Sequence, residues 1–343
     1  MHYTVQDIKD ILNAGGELPF PDIPVRTYLY DSRRLRSVEN TLFIAISGRQ
    51  HNGHDYIAEL FEKGIRNFLV ERVPGHLNGK ANFIEVKNTL EAFQALAKSA
   101  RSQFNGNLIA ITGSNGKTIV KEWLYQLLQE DHSIVRTPKS YNSQLGVPLS
   151  VLQMTGHEDY AIFEAGISQP GEMLRLQEIL RPRWGILTNI GSAHQEYFDS
   201  TRQKINEKLL LFKDVEGLVY SADQQAVAEA IDRFDFSSKP DMWSWSLKGR
   251  EARVVYDFDK TKEQLRFPWK GENRSLPFPF TDDASVENAL NALTTFLALG
   301  GSLTGAGSKL SALEPVSMRL EQKSGRWNTV LINDAYSADL ESL

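Results

Sequence analysis

The chain of 343 residues contains no cysteine. Disulfide bridges, thiolate metal sites and cysteine nucleophiles are therefore excluded, and the composition fits a protein of the cytoplasm. The sequence also lacks an uninterrupted apolar run of ~18 residues, so no membrane-spanning helix is predicted. The first residues, MHYTVQDIKDILNAGG, do not have the basic and then apolar pattern of a signal peptide. They predict a short amphipathic helix instead.

The chain also has little excess charge of either sign. Lys and Arg together number 38 and Asp and Glu 43, which gives a formal net charge of −5. This modest negative charge argues against general binding to nucleic acid or to an anionic membrane surface, but it allows a local basic pocket. The length exceeds what one compact core usually accommodates and indicates two or three domains.

Short strand and helix patterns alternate at the start of the chain and predict a small α/β domain over residues 1–105. TLFIAISG, residues 41–48, and NFLVE, residues 67–71, have the composition of buried strands. YIAELFEKGI, residues 56–65, and TLEAFQALAKSARSQF, residues 89–104, have the apolar spacing of helices.

A second alternation of strands and helices begins at residue 106 and predicts a mainly parallel sheet. Its strand patterns are LIAIT (108–112), YAIFE (160–164), WGILTNI (184–190) and GLVYSA (217–222). Residues 242–280 differ in character, since MWSWSL, ARVVYDF and QLRFPW predict antiparallel strands. A strong helix is then predicted from about residue 283 to 299, closed by two glycines.

A third region is predicted from residue 313 onward. TVLINDAY, residues 329–336, has the pattern of a buried strand, and the sequence ends soon after it. Because a single strand cannot bury both of its faces, we expect this region either to dock on the preceding domain or to begin a truncated one. The predicted domains are therefore residues 1–105, 106–312 and 313–343.

The segment ITGSNGKT, residues 111–118, lies between an apolar strand and a helix. Gly113 and Gly116 permit a tight turn that aims backbone N–H groups and the helix dipole at an anion. Lys117 is then expected to meet the terminal phosphates of a nucleotide, and the Thr118 hydroxyl to hold Mg²⁺. The usual P-loop spacing places glycine at position 111, which is isoleucine here, so the loop is too short. The alternative is a plain turn between strand and helix.

Other candidate residues follow strands or lie in polar loops. Ligands of open α/β sheets gather at the carboxyl ends of strands, where Glu164 ends YAIFE and His194 follows WGILTNI. A solvated glutamate and a structural histidine are the alternatives. Lys208 lies in a helical pattern and by position alone is expected to be a solvated lysine. DSRRL, residues 31–35, and GRQHNGHDY, residues 48–56, either bind an anionic nucleotide or are ordinary loops.

Seven segments together resemble the Mur ligase family, ATP-dependent enzymes that build the peptide of bacterial peptidoglycan. They are ITGSNGKT, YNSQLGVP (141–148), FEAGISQPGEM (163–173), TNIGSAHQEYF (188–198), EKLLLF (207–212), SVENALNAL (285–293) and INDAYSADLESL (332–343). The family's P-loop is the shortened form G-x-N-G-K-T, which accounts for the isoleucine. The resemblance implies an α/β fold, with a small N-terminal uridine-nucleotide domain before a mainly parallel-sheet P-loop ATPase domain that has an antiparallel portion.

Within the family, INDAYSADLESL resembles the members that add D-Ala-D-Ala to UDP-N-acetylmuramoyl-tripeptide through an acyl phosphate. DSR, LFIAISG and NGHDYI resemble the uridine-nucleotide domain of the same members. A likeness also extends to the ligase half of polypeptides that fuse such a ligase to an alanine racemase. The partners implied are these two substrates and ATP, with no nucleic acid and no membrane insertion.

The resemblance also implies roles for individual residues. The ATP-binding residues implied are Gly113, Ser114, Asn115, Gly116, Lys117, Thr118, Asn288, Arg319 and Asp334. Two Mg²⁺ ions are implied, one held by Thr118 and Glu164 and the other by His194 and Lys208, where Lys208 carries a carbamate derived from CO₂. The catalytic residues implied are Lys117, Glu164, His194 and Lys208. Contacts with the UDP substrate are implied for Ser32, Arg33 and Asn142.

The sequence departs from the family pattern at Ser143, Ser168, Gln169, Ser337 and Leu340, which bear on fine substrate contacts. The family's third domain, which holds the incoming amine, is nearly absent from this sequence. We therefore expect this chain to bind MgATP and the UDP-linked peptide substrate but to form the amide with little turnover. Three alternatives stay open: an ordinary P-loop phosphotransferase, a binding-only module and a folylpolyglutamate synthase. The short loop argues against the first, and the uridine-type N-terminal domain argues against the last.

Overall fold

The computed structural model describes residues 3–48, 51–191, 198, 200–314, 316, 321–324 and 329–333. Contacts divide the chain into two units, Met1–Asn105 with Gln144–His157, and Gly106–Ser143 with Glu158–Leu343. The domain limits given by the sequence patterns stay predictions. None of the helices in the described ranges combines the length and the apolar character that crossing a bilayer requires.

The first 105 residues contain both strands and helices. They are β1 (Tyr3–Thr4), α1 (Val5–Ile11), β2 (Pro24–Val25), β3 (Thr27–Leu29), β4 (Thr41–Ile44), α2 (Ile57–Glu62), β5 (Asn67–Val70), β6 (Asn82–Glu85) and α3 (Thr89–Ser102). Strands β3 to β6 form a parallel sheet in chain order. Phe43, Phe68 and Phe83 lie opposite one another on β4, β5 and β6 and are fully buried. This phenylalanine ladder is the centre of the first unit's core.

Strands and helices also alternate along the remainder of the chain. They are β7 (Asn107–Thr112), α4 (Lys117–Leu128), β8 (Ile134–Arg136), α5 (Gly146–Val151), β9 (Tyr160–Glu164), α6 (Glu172–Leu180), β10 (Trp184–Leu187), α7 (Thr201–Leu209), β11 (Gly217–Ser221), α8 (Gln225–Asp232), β12 (Asp241–Ser246), β13 (Val254–Val255), β14 (Asp257–Asp259), β15 (Gln264–Trp269), β16 (Glu272–Pro277), α9 (Asp283–Ala298), α10 (Ala306–Ser311), β17 (Glu321–Ser324) and β18 (Val330–Asn333). Helix α5 belongs to the first unit, where it packs on α3.

The main sheet of the second unit is parallel, with the strand order β13-β12-β11-β10-β7-β9-β8. Strand β7 lies between β9 and β10, so the residues that follow these three strands meet at one edge of the sheet. Helix α4 packs against α9 over a common apolar core. Strands β14, β15 and β16 form a separate antiparallel sheet. The predicted α/β fold class, parallel with an antiparallel portion, is confirmed.

The prediction of antiparallel strands over residues 242–280 is partly wrong. MWSWSL lies in β12, which pairs in parallel with β11 and places Trp243 opposite Val219. ARVVYDF is divided between β13, which is parallel to β12, and β14, which is antiparallel to β15. The direction of pairing depends on the crossover through α8, and alternation of apolar residues along one strand does not contain that information.

The strand predicted near the end of the chain is present as β18 and pairs in antiparallel register with β17. Its partner therefore precedes it in sequence, at residues that the patterns did not identify as a strand. Asp334 and the rest of INDAYSADLESL beyond Asn333 lie outside the described residues.

Candidate functional site

The loop between β7 and α4 requires its two glycines. Gly113 and Gly116 have positive φ angles of 150° and 80°. A Cβ atom would lie 1.9 Å from Thr188 Oγ1 at the first position and 2.1 Å from Asn288 Oδ1 at the second. Ile111, where a longer P-loop has glycine, is a buried residue within β7. Residues 113–116 therefore form the whole turn between β7 and α4.

The end of the loop offers backbone donors to an anion. Helix α4 has Gly116 as its N-cap, and no side chain caps it. The first N–H groups of a helix lack partners within the helix and carry the positive end of its dipole. A phosphate group is therefore the natural ligand for this end of α4.

Residues that follow β10 hold the loop in place. Asn189 accepts hydrogen bonds from the backbone N–H of Ser114 at its carbonyl oxygen, 2.7 Å, and from that of Asn115 at Oδ1, 2.8 Å. The Thr188 hydroxyl donates to the carbonyl of Asn115, 2.6 Å. Sequence analysis assigned no role to Thr188 or Asn189. The sequence signal that could have identified them is a pair of polar residues directly after β10, at the edge of the sheet where β7 also ends.

Three lysine ammonium groups approach the loop. Lys117 Nζ donates to the carbonyls of Gly113 and Ser114, 2.9 Å each, and Lys208 Nζ donates to that of Gly113, 3.1 Å. Lys204, one turn earlier on α7, donates to the carbonyl of Gly191. The expectation from position alone, that Lys208 is a solvated lysine, is wrong: the residue is 4% exposed.

The surroundings of Lys208 favour its neutral form. Burial is the largest cause, and the positive charges of Lys117 and Lys204 act in the same direction, so the pKa of Lys208 is well below its usual value. Glu207 opposes this effect only in part. Burial and the neighbouring positive charges thus favour the neutral amine of Lys208 more than they would for an exposed lysine.

Glu164 ends β9 and is fully buried, so it is not a solvated loop residue. Its Oε2 accepts a hydrogen bond from Thr118 Oγ1, 3.1 Å, and the same hydroxyl lies 2.9 Å from Ser140 Oγ. Its Oε1 lies 3.0 Å from Lys121 Nζ. Sequence analysis did not identify Lys121, because a lysine inside a helical pattern ordinarily faces solvent.

A cavity of about 110 Å³ lies beside the loop. Its lining includes Gly113, Lys117, Asn142, Phe198, Lys204 and Lys208. The carbonyl of Asn142 accepts a hydrogen bond from Gly166 N, 2.8 Å, so Asn142 lies close to the end of β9. The structure therefore groups Asn142 with the glycine loop in the second unit, whereas Ser32 and Arg33 lie in the first.

The first unit has its own cavity, of about 610 Å³, and its lining includes Ser32, Arg33, Ile46, His51, Tyr56 and Leu145. Arg33 is exposed. It donates two hydrogen bonds to the Asp31 carboxylate, from Nε at 2.8 Å and from Nη2 at 2.9 Å. These bonds lower the pKa of Asp31. The cavity thus combines an apolar wall with a guanidinium group at its rim.

The remaining predicted residues divide into two groups. Asn288 is buried on α9 with its Oδ1 facing Gly116. His194, Arg319 and Asp334 lie outside the described residues.

Comparison with known proteins agrees with this geometry. Residues 111–296, more than half of the chain, match the model of the Mur ligase middle domain. The UDP-N-acetylmuramoyl-tripeptide–D-alanyl-D-alanine ligase of Bacillus subtilis strain 168 is 29% identical over 345 residues, which cover 99% of this chain and 73% of that relative.

Two solved structures have a similar fold. MurF from Acinetobacter baumannii matches with a TM-score of 0.84 at 23% identity, over 99% of this chain and 74% of that one. The MurF ligase of Thermotoga maritima in complex with ADP matches with a TM-score of 0.78 at 23% identity, over 93% and 73%. Since the domain model matches more than half of its residues, the chain belongs to the Mur ligase family.

Proposed function

We propose that this chain is a cytoplasmic, ATP-dependent amide ligase that adds D-Ala-D-Ala to UDP-N-acetylmuramoyl-tripeptide. The observation that carries the proposal is the convergence of Lys117, the Thr118–Glu164 pair and the buried Lys208 on one glycine loop. The substrates follow from the similarity to the Bacillus subtilis ligase along nearly the whole chain. The ADP in the Thermotoga maritima structure supports the use of ATP.

The proposed reaction has two steps. The tripeptide's terminal carboxylate attacks the γ-phosphorus of ATP, which forms an acyl phosphate and releases ADP. The amine of D-Ala-D-Ala then attacks the acyl carbon, inorganic phosphate leaves, and the amine loses a proton as the amide forms. The loop amides and Lys117 bind and orient the transferred phosphoryl group, which is the main contribution a protein makes to such a transfer.

The residues present fit a magnesium ion. Thr118 Oγ1 and Glu164 Oε2 lie 3.1 Å apart at the sheet edge, and oxygen is the ligand that Mg²⁺ prefers. In the described ranges no three His, Cys, Asp or Glu residues form a cage. Mg²⁺ at nucleotide sites is commonly held by one or two carboxylates together with substrate phosphates and water. When bound, the ion neutralises phosphate charge. We assign a second ion to His194 and Lys208.

We further propose that Lys208 carries a carbamate. The neutral amine attacks the carbon of CO₂, an N–C bond forms, and one N–H proton passes to solvent, which leaves a monoanion on the side chain. Burial supports the proposal because it favours the neutral amine that this reaction needs. The ammonium groups of Lys117 and Lys204 at the same cavity are suitable counter-charges for the product.

The cavity of the first unit is the proposed site for the uridine diphosphate. Arg33→Ala is expected to weaken binding of the UDP-muramoyl-tripeptide, because a guanidinium group matches the geometry of a diphosphate. The expected result is a higher Kd for the UDP-muramoyl-tripeptide than in wild type, measured by calorimetry.

Arg34→Ala is the matched control for this test. Arg34 is the next residue, its Nε lies 3.4 Å from the same Asp31 carboxylate, and it does not line the cavity. Its replacement is expected to leave the Kd unchanged. Equal affinities for Arg33→Ala and wild type would place the uridine diphosphate elsewhere.

The proposed activity is tested by incubating the chain with MgATP, UDP-muramoyl-tripeptide and D-Ala-D-Ala, while phosphate release and the mass of the product are followed. Phosphate release that depends on D-Ala-D-Ala, with a pentapeptide product, is the expected result for a ligase. A stable phosphorylated product in the absence of any amine would favour a phosphotransferase. Binding of both nucleotides without phosphate release would favour a binding-only module, and the expected low turnover of this chain stays a prediction.

A further inference from the structure

Lys121 is fully buried in α4, one helical turn after Lys117. Its ammonium group donates to the carbonyls of Thr137, 2.8 Å, and Lys139, 2.5 Å. It also lies 3.0 Å from Glu164 Oε1 and 3.1 Å from Glu122 Oε1. Burial of a lysine is costly unless the charge is paired and hydrogen-bonded, so this arrangement indicates a specific role.

The two oxygen atoms of Glu164 have different neighbours. Oε1 is in ion-pair contact with the Lys121 ammonium at 3.0 Å and accepts no hydrogen bond from the described residues, whereas Oε2 accepts the hydrogen bond of the Thr118 hydroxyl. The backbone of the same residue is also fixed, because Glu164 N donates to Thr137 Oγ1, 3.0 Å. The carboxylate therefore has one defined orientation, in which a single oxygen is directed toward Thr118.

We propose that Lys121 is a positioning residue for the nucleotide's magnesium ion. Its ammonium group holds Oε1 of Glu164, so that Oε2 and the Thr118 hydroxyl face the metal together. This inference rests on the proposed function, since it takes Glu164 as the metal-side carboxylate. Partners that orient a metal ligand commonly change metal affinity about 10- to 100-fold when they are removed.

The competing explanation is purely structural. Lys139 has a left-handed backbone conformation, φ 53°, and Lys121 bonds to its carbonyl. Lys121 would then serve only to fasten residues 137–139 to α4. In that case its loss would weaken nucleotide binding with and without metal to the same extent, which distinguishes the two explanations.

The test uses Lys121→Met in the 343-residue chain and a non-hydrolysable ATP analogue. Calorimetry gives the analogue's affinity in EDTA, and a titration of the analogue complex gives its affinity for Mg²⁺. We expect unchanged affinity in EDTA and Mg²⁺ affinity about 10- to 100-fold weaker than in wild type. Unchanged or tighter Mg²⁺ binding would overturn the proposal, as would an equal loss in both measurements.

Lys309→Met is the matched control. Lys309 also donates to a backbone carbonyl of α4, that of Leu127, 3.2 Å, and pairs with Asp131, 3.1 Å. It is therefore a lysine that fastens the opposite end of the same helix without facing Glu164. We expect its replacement to leave the Mg²⁺ affinity of the analogue complex at the wild-type value.

A double-mutant cycle with Glu164→Gln keeps the test decisive if Lys121→Met alone folds poorly. The double variant has no uncompensated buried charge at this position and is expected to fold. If Lys121 acts through Glu164, the addition of Lys121→Met to Glu164→Gln causes no further loss of Mg²⁺ affinity. Additive losses would overturn the proposal. Wild type that binds no magnesium nucleotide would contradict the proposed function instead.

Discussion

Replacement of Lys117 by alanine is expected to abolish the binding of MgATP at ordinary concentrations while the fold remains intact. Lys117 lies at the start of α4, and its ammonium group is held over the loop by the carbonyls of Gly113 and Ser114. In that position it can pair with the phosphates that the N-terminal amides of α4 are proposed to hold. Each charge-assisted hydrogen bond lost costs about 1.5–3 kcal/mol, or roughly 10- to 150-fold in affinity.

Calorimetry with a non-hydrolysable ATP analogue measures this loss, and thermal unfolding of the free protein checks the fold. Lys262→Ala is the control. Lys262 is an exposed lysine in the turn between β14 and β15, and its Nζ lies 3.5 Å from Asp259 Oδ2. We expect its affinity for the analogue to equal that of wild type. If Lys117→Ala also bound the analogue as tightly as wild type, residues 113–118 would not be the phosphate site.

Replacement of Lys208 by alanine is expected to lower ligase turnover by about 10²–10³-fold, the effect typical of removing one preorganised electrostatic group. The variant has a space next to Gly113 in place of the proposed carbamate. A short-chain carboxylic acid such as acetate or propionate can supply an anion at that position, so we expect part of the activity to return when the acid is added. In wild type, ¹³C-bicarbonate is expected to produce a carbamate signal by NMR that Lys208→Ala lacks.

Lys204→Ala provides the comparison for this rescue experiment. Lys204 lies on the same helix, is buried and lines the same cavity, but it is proposed as a counter-charge for the carbamate and not as its carrier. Any activity that it loses should therefore not be restored by a carboxylic acid. Absence of a carbamate signal from wild type at ample bicarbonate, together with no rescue of Lys208→Ala, would exclude the modification.

Much of the fold could be predicted from local patterns. Strand β9 occupies residues 160–164 as its apolar run indicated, and α4 follows the glycine loop from Lys117, as the predicted order of strand, loop and helix requires. Strands β4 and β10 end earlier than predicted, at Ile44 and Leu187. Apolar residues continue past both ends, and one further backbone hydrogen bond reaches the neighbouring strand at each end, from Ala45 N to the Leu69 carbonyl and from Thr188 N to the Thr112 carbonyl, 2.9 Å each. Where a strand ends therefore depends on the register of the whole sheet, which the apolar run does not contain.

The sequence by itself determined that a glycine loop follows a buried strand and precedes an amphipathic helix, since glycine conformations and apolar periodicity are local properties. Only the tertiary structure decided what surrounds that loop. Lys121 and Lys208 lie on helices where spacing alone predicts solvated side chains, yet both are buried against carbonyls and a carboxylate that other segments provide. The burial, charge and orientation of these groups depend on contacts between distant parts of the chain, which residue order alone does not specify.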